Sequence, residues 1–326
     1  MILALGGTIS AKGEDRLDLK NYQSGLISPD IFIKNLPEIQ QIAEVDVKQL
    51  DNVSSTAITM THWIELRQIV IQYLNEDNYD GIVITHGTNT LEETAYFLHI
   101  TVPTHKPIVL IGSQRPYTAL SSDAQLNIFN GIKVAAANES KGKGVLVVLN
   151  DEISSAREVT KTNTYRLNTF QSGQFGALGF VEPDGTVQYY RSPTRIHTIN
   201  SKFTKLNFKT DIPNVEIVYS YAGATGELIR HIATCGKYEG IIVAGTGAGL
   251  MSPDEETALY EAVAKGLVLV RSSRVGNGRV IEINKYKNLQ TIHGDNLLPQ
   301  KARILLMLSL LTDKNIFDIQ LNFDHY

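Results

Sequence analysis

The amino-acid sequence predicts an α/β protein of two domains. The larger N-terminal domain has a mixed or parallel sheet flanked by helices, and the smaller C-terminal domain is also α/β. The 326 residues exceed what one hydrophobic core usually organises. Short apolar runs alternate with helical patterns, which is typical of a largely parallel sheet. The alternation lapses at 191–213, a polar stretch with two prolines. We therefore predict domains at 1–190 and 214–326, joined by a linker at 191–213.

Hydrophobic periodicity indicates the elements of the first domain. Its strands are predicted at Ile2–Leu5, Val45–Leu50, Gly81–Thr85, Ile108–Ile111 and Val145–Leu149. One helix carries Trp63 among apolar residues at helical spacing, which indicates a packing role for the indole. A second helix begins at Thr90 with a capping-box pattern and runs to Leu98. A third runs from Ser122 to about residue 137.

The second domain repeats this alternation and is predicted to be flavodoxin-like. Its strands are predicted at Val215–Tyr219, Gly240–Ala244 and Leu267–Val270, and two of its helices at Gly226–Thr234 and Gln300–Leu311. Another helix is expected directly after Ser252. There a serine N-cap, Pro253 at the first helical position and Glu255 three residues after the cap form a start signal.

Composition argues against several classes of protein. The net charge of −4 and the isoelectric point of about 6.1 are unlike a nucleic-acid-binding surface, which needs a basic face. No apolar run approaches the roughly 20 residues that span a bilayer, and the first residues lack a signal-peptide pattern. The single cysteine, Cys235, forms no intrachain disulfide. We expect a cytoplasmic protein with no nucleic-acid or membrane partner.

Three segments rich in glycine or hydroxyl groups are candidates for chemistry. Thr8 follows two glycines at a predicted strand end, where ligands bind in open α/β sheets. The run Thr85–Thr90 joins a strand to a helix, whose free amides suit an anion. Lys161 lies among threonines in a non-periodic stretch. Each segment by itself also fits an ordinary solvated turn, and His86 is better explained as a turn hydrogen-bonder than as a general base.

No cofactor and no metal are predicted. The glycine-rich run Gly245–Gly249 follows a strand but lacks the GxGxxG spacing, and no acidic residue follows about 20 positions later. The sequence also lacks HExxH and CxxC patterns, and no Walker lysine follows a glycine run. A dinucleotide enzyme and a nucleotidase are therefore poor interpretations.

Considered together, five segments resemble one family along the whole chain and in its order. They are Leu3–Ile9, Ile84–Thr94, Thr160–Thr164, Ser272–Val275 and Pro299–Arg303. In these segments the chain is similar to the bacterial-type L-asparaginase/glutaminase family. The resemblance implies an amidohydrolase that converts L-asparagine to L-aspartate and ammonia, with L-glutamine as a weaker substrate. It also implies a homotetramer with active sites between subunits.

The resemblance implies roles for residues at matching positions. Thr8 corresponds to the nucleophile that forms an acyl-enzyme, and Tyr22 to the tyrosine of a mobile lid that hydrogen-bonds the nucleophile. Thr88 and Lys161 correspond to a second hydroxyl–lysine relay, and Ser55 to the serine that holds the substrate α-carboxylate. The chemistry agrees, because a threonine hydroxyl is a weak nucleophile that needs a proton acceptor and an oxyanion stabiliser.

Substrate recognition is where the sequence departs from the family pattern. The resemblance implies that backbone near Thr88 and Ser113 binds the substrate carbonyl oxygen and the departing amide. Asn89 stands where the family has an aspartate for the substrate α-ammonium, and its neutrality is expected to lower the pKa of Lys161. Ala248 stands where members often carry an asparagine that reaches a neighbouring subunit, and Glu282 loosely matches an acid from that subunit. Losing one side of a desolvated charge pair costs roughly 2–5 kcal/mol.

Three hypotheses follow from this departure. Asn89 slows asparagine turnover while the fold is preserved, or it marks a substrate without a free α-amine, such as an N-blocked amide. Alternatively, the chain is an impaired homologue that binds amino acid with little turnover.

Overall fold

The structure is a computed structural model that describes residues 1–208 and 211–326. These residues form two compact units, Met1–Thr204 and Lys205–Tyr326. The boundary between the units falls inside the stretch predicted as the linker. Residues 209 and 210 of that stretch lie outside the described residues, and the bounds of the linker stay a prediction.

The described part of the first unit contains an eight-stranded mixed sheet. Its strands are β1 (Ile2–Gly6), β2 (Val47–Val53), β3 (Ile82–Thr85), β4 (Ile108–Ile111), β5 (Val145–Leu149), β6 (Glu152–Ser155), β9 (Gly179–Val181) and β10 (Val187–Tyr189), while β7 (Thr160–Lys161) pairs separately with β8 (Phe170–Gln171). The order in space is β10-β9-β6-β5-β4-β3-β1-β2. Strands β1 to β5 pair in parallel, and β6, β9 and β10 continue the sheet in antiparallel fashion. The predicted mixed or parallel sheet is confirmed.

The central strands are covered on both faces. Every residue of β1, β3, β4 and β5 is buried, which explains why these strands are continuous apolar runs. The helices of this unit are α1 (Pro29–Asn35), α2 (Met60–Asn75), α3 (Leu91–Thr101) and α4 (Ala124–Ala136). Trp63 of α2 stacks on Phe97 of α3 with 5.3 Å between ring centroids, so its packing role is confirmed. The short antiparallel strands after β5 have no clear apolar alternation and were not predicted.

The start of α3 corrects one expectation. Thr90 is the N-cap residue, but its side chain makes no capping hydrogen bond. The Thr90 Oγ1 instead donates to the carbonyl oxygen of Ser55, 2.7 Å away. The predicted capping box is therefore wrong, because a partner distant in sequence competes for the hydroxyl.

The second unit is a smaller parallel α/β domain, as predicted. Its strands β11 (Val215–Tyr219), β12 (Gly240–Gly245), β13 (Val268–Ser273) and β14 (Ile292–His293) form one parallel sheet in sequence order, with helices α5 (Glu227–Thr234), α6 (Pro253–Ala264), α7 (Pro299–Thr312) and α8 (Ile316–His325). The start signal at Ser252 is confirmed. Its Oγ accepts from the backbone of Glu255 at 3.1 Å, and the Glu255 carboxylate accepts from the Ser252 backbone at 2.9 Å.

The order of the first sheet determines where a ligand can bind. The chain runs from β1 outward to β2 and then returns to place β3 on the other side of β1. Open α/β sheets bind ligands at such a reversal, beyond the carboxyl ends of the strands. A ligand site is therefore expected at the turns after β1 and β3. Among the helices in the described ranges, none has both the length and the apolar character needed to cross a membrane.

Candidate active site

The turn after β1 places Thr8 at the carboxyl end of the sheet. Gly6 and Gly7 have φ values of +93° and +85°, which glycine adopts far more readily than other residues. A Cβ on Gly7 would lie 2.4 Å from the Cα of Gly87, so the turns after β1 and β3 pack backbone against backbone. Thr8 then opens a short 3-10 turn and is 9% exposed.

Ser55 packs against the turn after β3. It begins a 3-10 turn just beyond β2 and is buried. The backbone N–H of Asn89 donates to Ser55 Oγ over 3.2 Å. A Cβ on Gly87 would meet the same oxygen at 2.7 Å. Only glycine at position 87 therefore allows the serine hydroxyl to approach this turn so closely.

His86 forms part of a buried hydrogen-bond chain. Its Nδ1 lies 2.8 Å from the carbonyl oxygen of Gly87, and since a carbonyl only accepts, Nδ1 carries the proton. The other ring nitrogen lies 2.9 Å from Thr94 Oγ1, which accepts from the indole N–H of Trp63 at 2.8 Å. Burial lowers the pKa of His86 to about 4. The neutral imidazole thus orients the turn.

Lys161 reaches from β7 to the turn after β3. Its Nζ donates to Thr88 Oγ1 at 2.8 Å and to Asn89 Oδ1 at 3.3 Å. The backbone N–H of Lys161 donates to a carboxylate oxygen of Glu92 at 3.1 Å. Desolvation lowers the pKa of Lys161 from its ordinary value, and the charge of Glu92 acts against this by raising it. An ammonium with a lowered pKa can serve as a proton carrier for the adjacent hydroxyl.

Tyr22 brings a second proton-carrying group to Thr8. The phenol oxygen lies 3.2 Å from Thr8 Oγ1. Tyr22 lies in an irregular segment whose ends are joined, because Lys12 and Gln23 exchange backbone hydrogen bonds of 3.0 and 3.1 Å. This segment also contributes Leu19 to the site.

A third turn, after β4, adjoins the other two. The Asp123 carboxylate accepts from the backbone N–H groups of Gln114 and Arg115 at 2.9 and 3.0 Å. The Ser113 hydroxyl donates to the Arg115 carbonyl at 2.7 Å, and Asn127 donates to the Gly112 carbonyl at 2.9 Å. Burial raises the pKa of Asp123, and its backbone hydrogen bonds act in the opposite direction. The turn is thus held by side chains at the start of α4.

These turns enclose one cavity within the first unit. Its volume is about 550 Å³, and its lining residues are Thr8, Leu19, Tyr22, Thr88, Asn89, Glu92, Gln114, Lys161, Thr162, Asn163, Thr164 and Tyr165. Hydroxyl, amide, phenol and charged groups dominate this lining. Such a surface suits a small polar molecule that carries its own donors and acceptors.

Five of the eight predicted site residues line this cavity, namely Thr8, Tyr22, Thr88, Asn89 and Lys161. Ser55 and Ser113 are buried beside it, with their hydroxyls bonded within the turns. Glu282 lies in the second unit and is exposed.

Sequence reasoning missed the roles of Glu92 and Gln114. The signal for Gln114 was its place after the predicted strand Ile108–Ile111. Glu92 was treated as part of a helix cap, although its carboxylate contacts Lys161.

The arrangement offers two hydroxyls, each with its own proton partner. Thr8 faces a phenol, and Thr88 faces a lysine of lowered pKa. A hydroxyl beside a proton acceptor is the arrangement that nucleophilic catalysis requires. Among residues 1–208 and 211–326, no group of three or more histidine, cysteine, aspartate or glutamate side chains is placed to hold a metal ion.

Comparison with known proteins agrees with this architecture. The family model described as "Asparaginase, N-terminal" matches residues 1–195, and the "Glutaminase/Asparaginase C-terminal domain" matches residues 214–323. The chain is 42% identical over 325 residues to L-asparaginase 2 of Bacillus subtilis, covering 100% of this chain and 86% of the relative. It is 38% identical to the glutaminase-asparaginase of Pseudomonas fluorescens, covering 100% and 90%.

A solved structure gives the same result. The probable cytoplasmic L-asparaginase from Campylobacter jejuni superposes with a TM-score of 0.94 at 38% sequence identity, covering 100% of this chain and 98% of that one. The matches span both units. The chain therefore belongs to the glutaminase/asparaginase family.

Proposed function

We propose that this protein hydrolyses the side-chain amide of L-asparagine to L-aspartate and ammonia through an acyl-enzyme on Thr8. The observation that carries the proposal is the convergence of two hydroxyl–proton-carrier pairs on one cavity. Thr8 with Tyr22 and Thr88 with Lys161 meet where the strand order reverses. The relatives named L-asparaginase and glutaminase-asparaginase support this substrate class.

The proposed reaction has two halves. In the first, Thr8 Oγ1 attacks the amide carbon, and its proton passes either to Tyr22 acting as a phenolate or through Thr88 to a neutral Lys161. The carbon–nitrogen bond then breaks, and the leaving nitrogen takes up a proton and departs as ammonia. In the second, water attacks the ester, giving L-aspartate and the free Thr8 hydroxyl. Backbone N–H groups near Thr88 and Ser113 stabilise the oxyanion in both halves.

Substrate binding is proposed to use the rest of the site. Ser55 holds the α-carboxylate, and Asn89 accepts a hydrogen bond from the α-ammonium. Glu282 of a second copy is proposed to complete the amine site in a homotetramer. Elution of the protein at the mass of four 36.0 kDa chains supports this assembly, and elution as a monomer contradicts it. A cytoplasmic location is proposed by analogy with the Campylobacter jejuni protein, although a Haemophilus influenzae relative is named as periplasmic.

Asn89 favours a second candidate function. A neutral amide at the amine site binds an α-ammonium less strongly than a carboxylate does. A chain that binds amino acid but turns it over slowly, or that prefers an N-blocked amide, fits this observation.

The decisive experiment measures ammonia release from L-asparagine, L-glutamine and an N-acetylated asparagine. The Thr8→Ala variant is expected to abolish release, because it lacks the oxygen on which the acyl-enzyme forms. Thr162→Ala removes a hydroxyl from the same cavity and serves as the matched control that retains activity. Mass spectrometry after rapid quenching is expected to detect a β-aspartyl ester on the peptide that contains Thr8. Full activity of Thr8→Ala contradicts the nucleophile assignment.

A further inference from the structure

We propose that the side-chain amide of Gln114 binds the substrate by donating a hydrogen bond to the oxygen of the substrate's side-chain carboxamide. This inference rests on the proposed amidohydrolase function and deepens it. Gln114 lines the same cavity as Thr8, Thr88 and Lys161. It reaches the cavity from the turn after β4, and no role follows for it from the two hydroxyl pairs.

The backbone of Gln114 is fixed by the Asp123 carboxylate. The Gln114 N–H donates to the Asp123 carboxylate, which also holds the neighbouring residue Arg115. Asn127 donates to the same carboxylate oxygen as Gln114 at 3.1 Å. A side chain carried by a turn that is fixed at several points loses little further freedom when it binds a ligand.

The side chain of Gln114 is buried at the cavity wall. Gln114 is only 7% exposed, and within the described part of the chain no acceptor forms a hydrogen bond with its buried Nε2. Buried amides are almost always paired, because a buried donor without an acceptor loses its hydrogen bonds to water without compensation. The free protein therefore bears a cost at Gln114 that an arriving acceptor relieves. Functional sites characteristically carry such costs.

The charged groups of the cavity already have hydrogen-bond partners. Lys161 already donates to Thr88 and Asn89, and Glu92 accepts from the Lys161 backbone. The Gln114 amide is thus an uncommitted, uncharged donor in a polar cavity. It matches a neutral acceptor, and the carbonyl oxygen of a primary carboxamide is such a group. A site that hydrogen-bonds its substrate discriminates strongly against analogues that lack the partner atom.

The test compares Gln114→Met, which has similar length and no amide, with Gln171→Met as a matched control. Gln171 lies in β8 outside the cavity lining, and its amide donates to the Asn168 carbonyl. For Gln114→Met we expect KM for L-asparagine to rise at least tenfold and kcat to fall as well, because the oxygen that Gln114 binds also carries the oxyanion. We also expect Tm without ligand to stay equal or rise, because the unpaired amide is gone. Gln171→Met is expected to leave KM unchanged.

The outcomes separate this inference from the proposed function. A KM for Gln114→Met within twofold of the unsubstituted protein overturns the inference and leaves the function standing. A second outcome is that the protein releases no ammonia but L-asparagine raises its Tm. If Gln114→Met then needs a tenfold higher L-asparagine concentration for the same rise in Tm, the proposed function is wrong and the inference stands. Absence of both turnover and ligand-induced shift overturns both. Gln114→Ala replaces the methionine variant in each measurement if the latter does not fold.

Discussion

Replacing Asn89 with aspartate tests how charge operates in the cavity. The side-chain oxygen of Asn89 lies 3.3 Å from Lys161 Nζ, so Asn89→Asp places a carboxylate beside the lysine and at the proposed amine site. Two unit charges at that separation attract by about 1 kcal/mol in bulk water and about 5 kcal/mol at an effective dielectric constant of about 20. Because Asn89 is exposed, solvent screening places the effect near the lower limit, about 1–2 kcal/mol.

The same field acts on the substrate α-ammonium. Since about 1.4 kcal/mol corresponds to a factor of ten, we expect Asn89→Asp to raise kcat/KM for L-asparagine by roughly five- to thirtyfold. An added carboxylate also favours the protonated form of Lys161 and raises its pKa. If neutral Lys161 accepts the proton, the acid limb of the pH profile moves to higher pH. Ammonia release should therefore be measured across the whole pH range.

A matched control separates this effect from added charge in general. Asn163 lines the same cavity, and its side-chain oxygen accepts from the backbone of Tyr165 and Arg166, both at 3.0 Å. Asn163→Asp keeps those bonds and adds the same charge at a side chain that hydrogen-bonds the Tyr165 and Arg166 backbone and not Lys161 Nζ. A gain below about fivefold for Asn89→Asp, or an equal gain for both variants, refutes the reasoning. A strong gain on an N-acetylated substrate refutes it too, because that substrate has no ammonium.

Three further predictions concern the turns and the buried groups. Gly7→Ala is expected to destabilise the protein by several kcal/mol and lower Tm, because the new Cβ would lie 2.4 Å from the Gly87 backbone. Gly142 also has a positive φ but has open space where a Cβ would lie, so Gly142→Ala should lower the free energy of unfolding by only about 1 kcal/mol. Glu92→Gln removes a charge that raises the pKa of Lys161, so the acid limb of the pH profile of kcat/KM should move to lower pH. If that limb does not move, Lys161 is excluded as the proton acceptor. The pKa of His86 is lowered to about 4 in the folded protein, so the unfolded chain binds a proton at this residue more readily. The free energy of unfolding should therefore fall by about 3 kcal/mol as pH drops from about 6.5 to 4. The Tm of His86→Gln should fall less over that range, and equal falls in Tm for the two proteins contradict the assignment.

Sequence patterns predicted the central strands because the signals are local. The strands Ile108–Ile111 and Val145–Leu149 are uninterrupted apolar runs, and both were predicted to the residue. The short strands of the antiparallel edge were missed because three or four residues, such as Gly179–Val181, carry too little pattern. The capping box at Thr90 failed for a different reason. Its hydroxyl is bonded to Ser55, 35 residues away, and periodicity contains no information on such a partner.

By itself, the sequence determined which residues could carry chemistry. Gly6 and Gly7 before Thr8 indicate a turn at the end of a strand. Both adopt a positive φ, which glycine takes up far more readily than other residues. The tertiary structure alone decided which side chains meet. Tyr22 reaches Thr8 across 14 positions and Lys161 reaches Thr88 across 73. Gln114 lines the cavity, and its Nε2 has no hydrogen-bond acceptor among the described residues. The physical reason is that parallel strands bring the turns at their carboxyl ends to one edge of a sheet, whatever their separation along the chain.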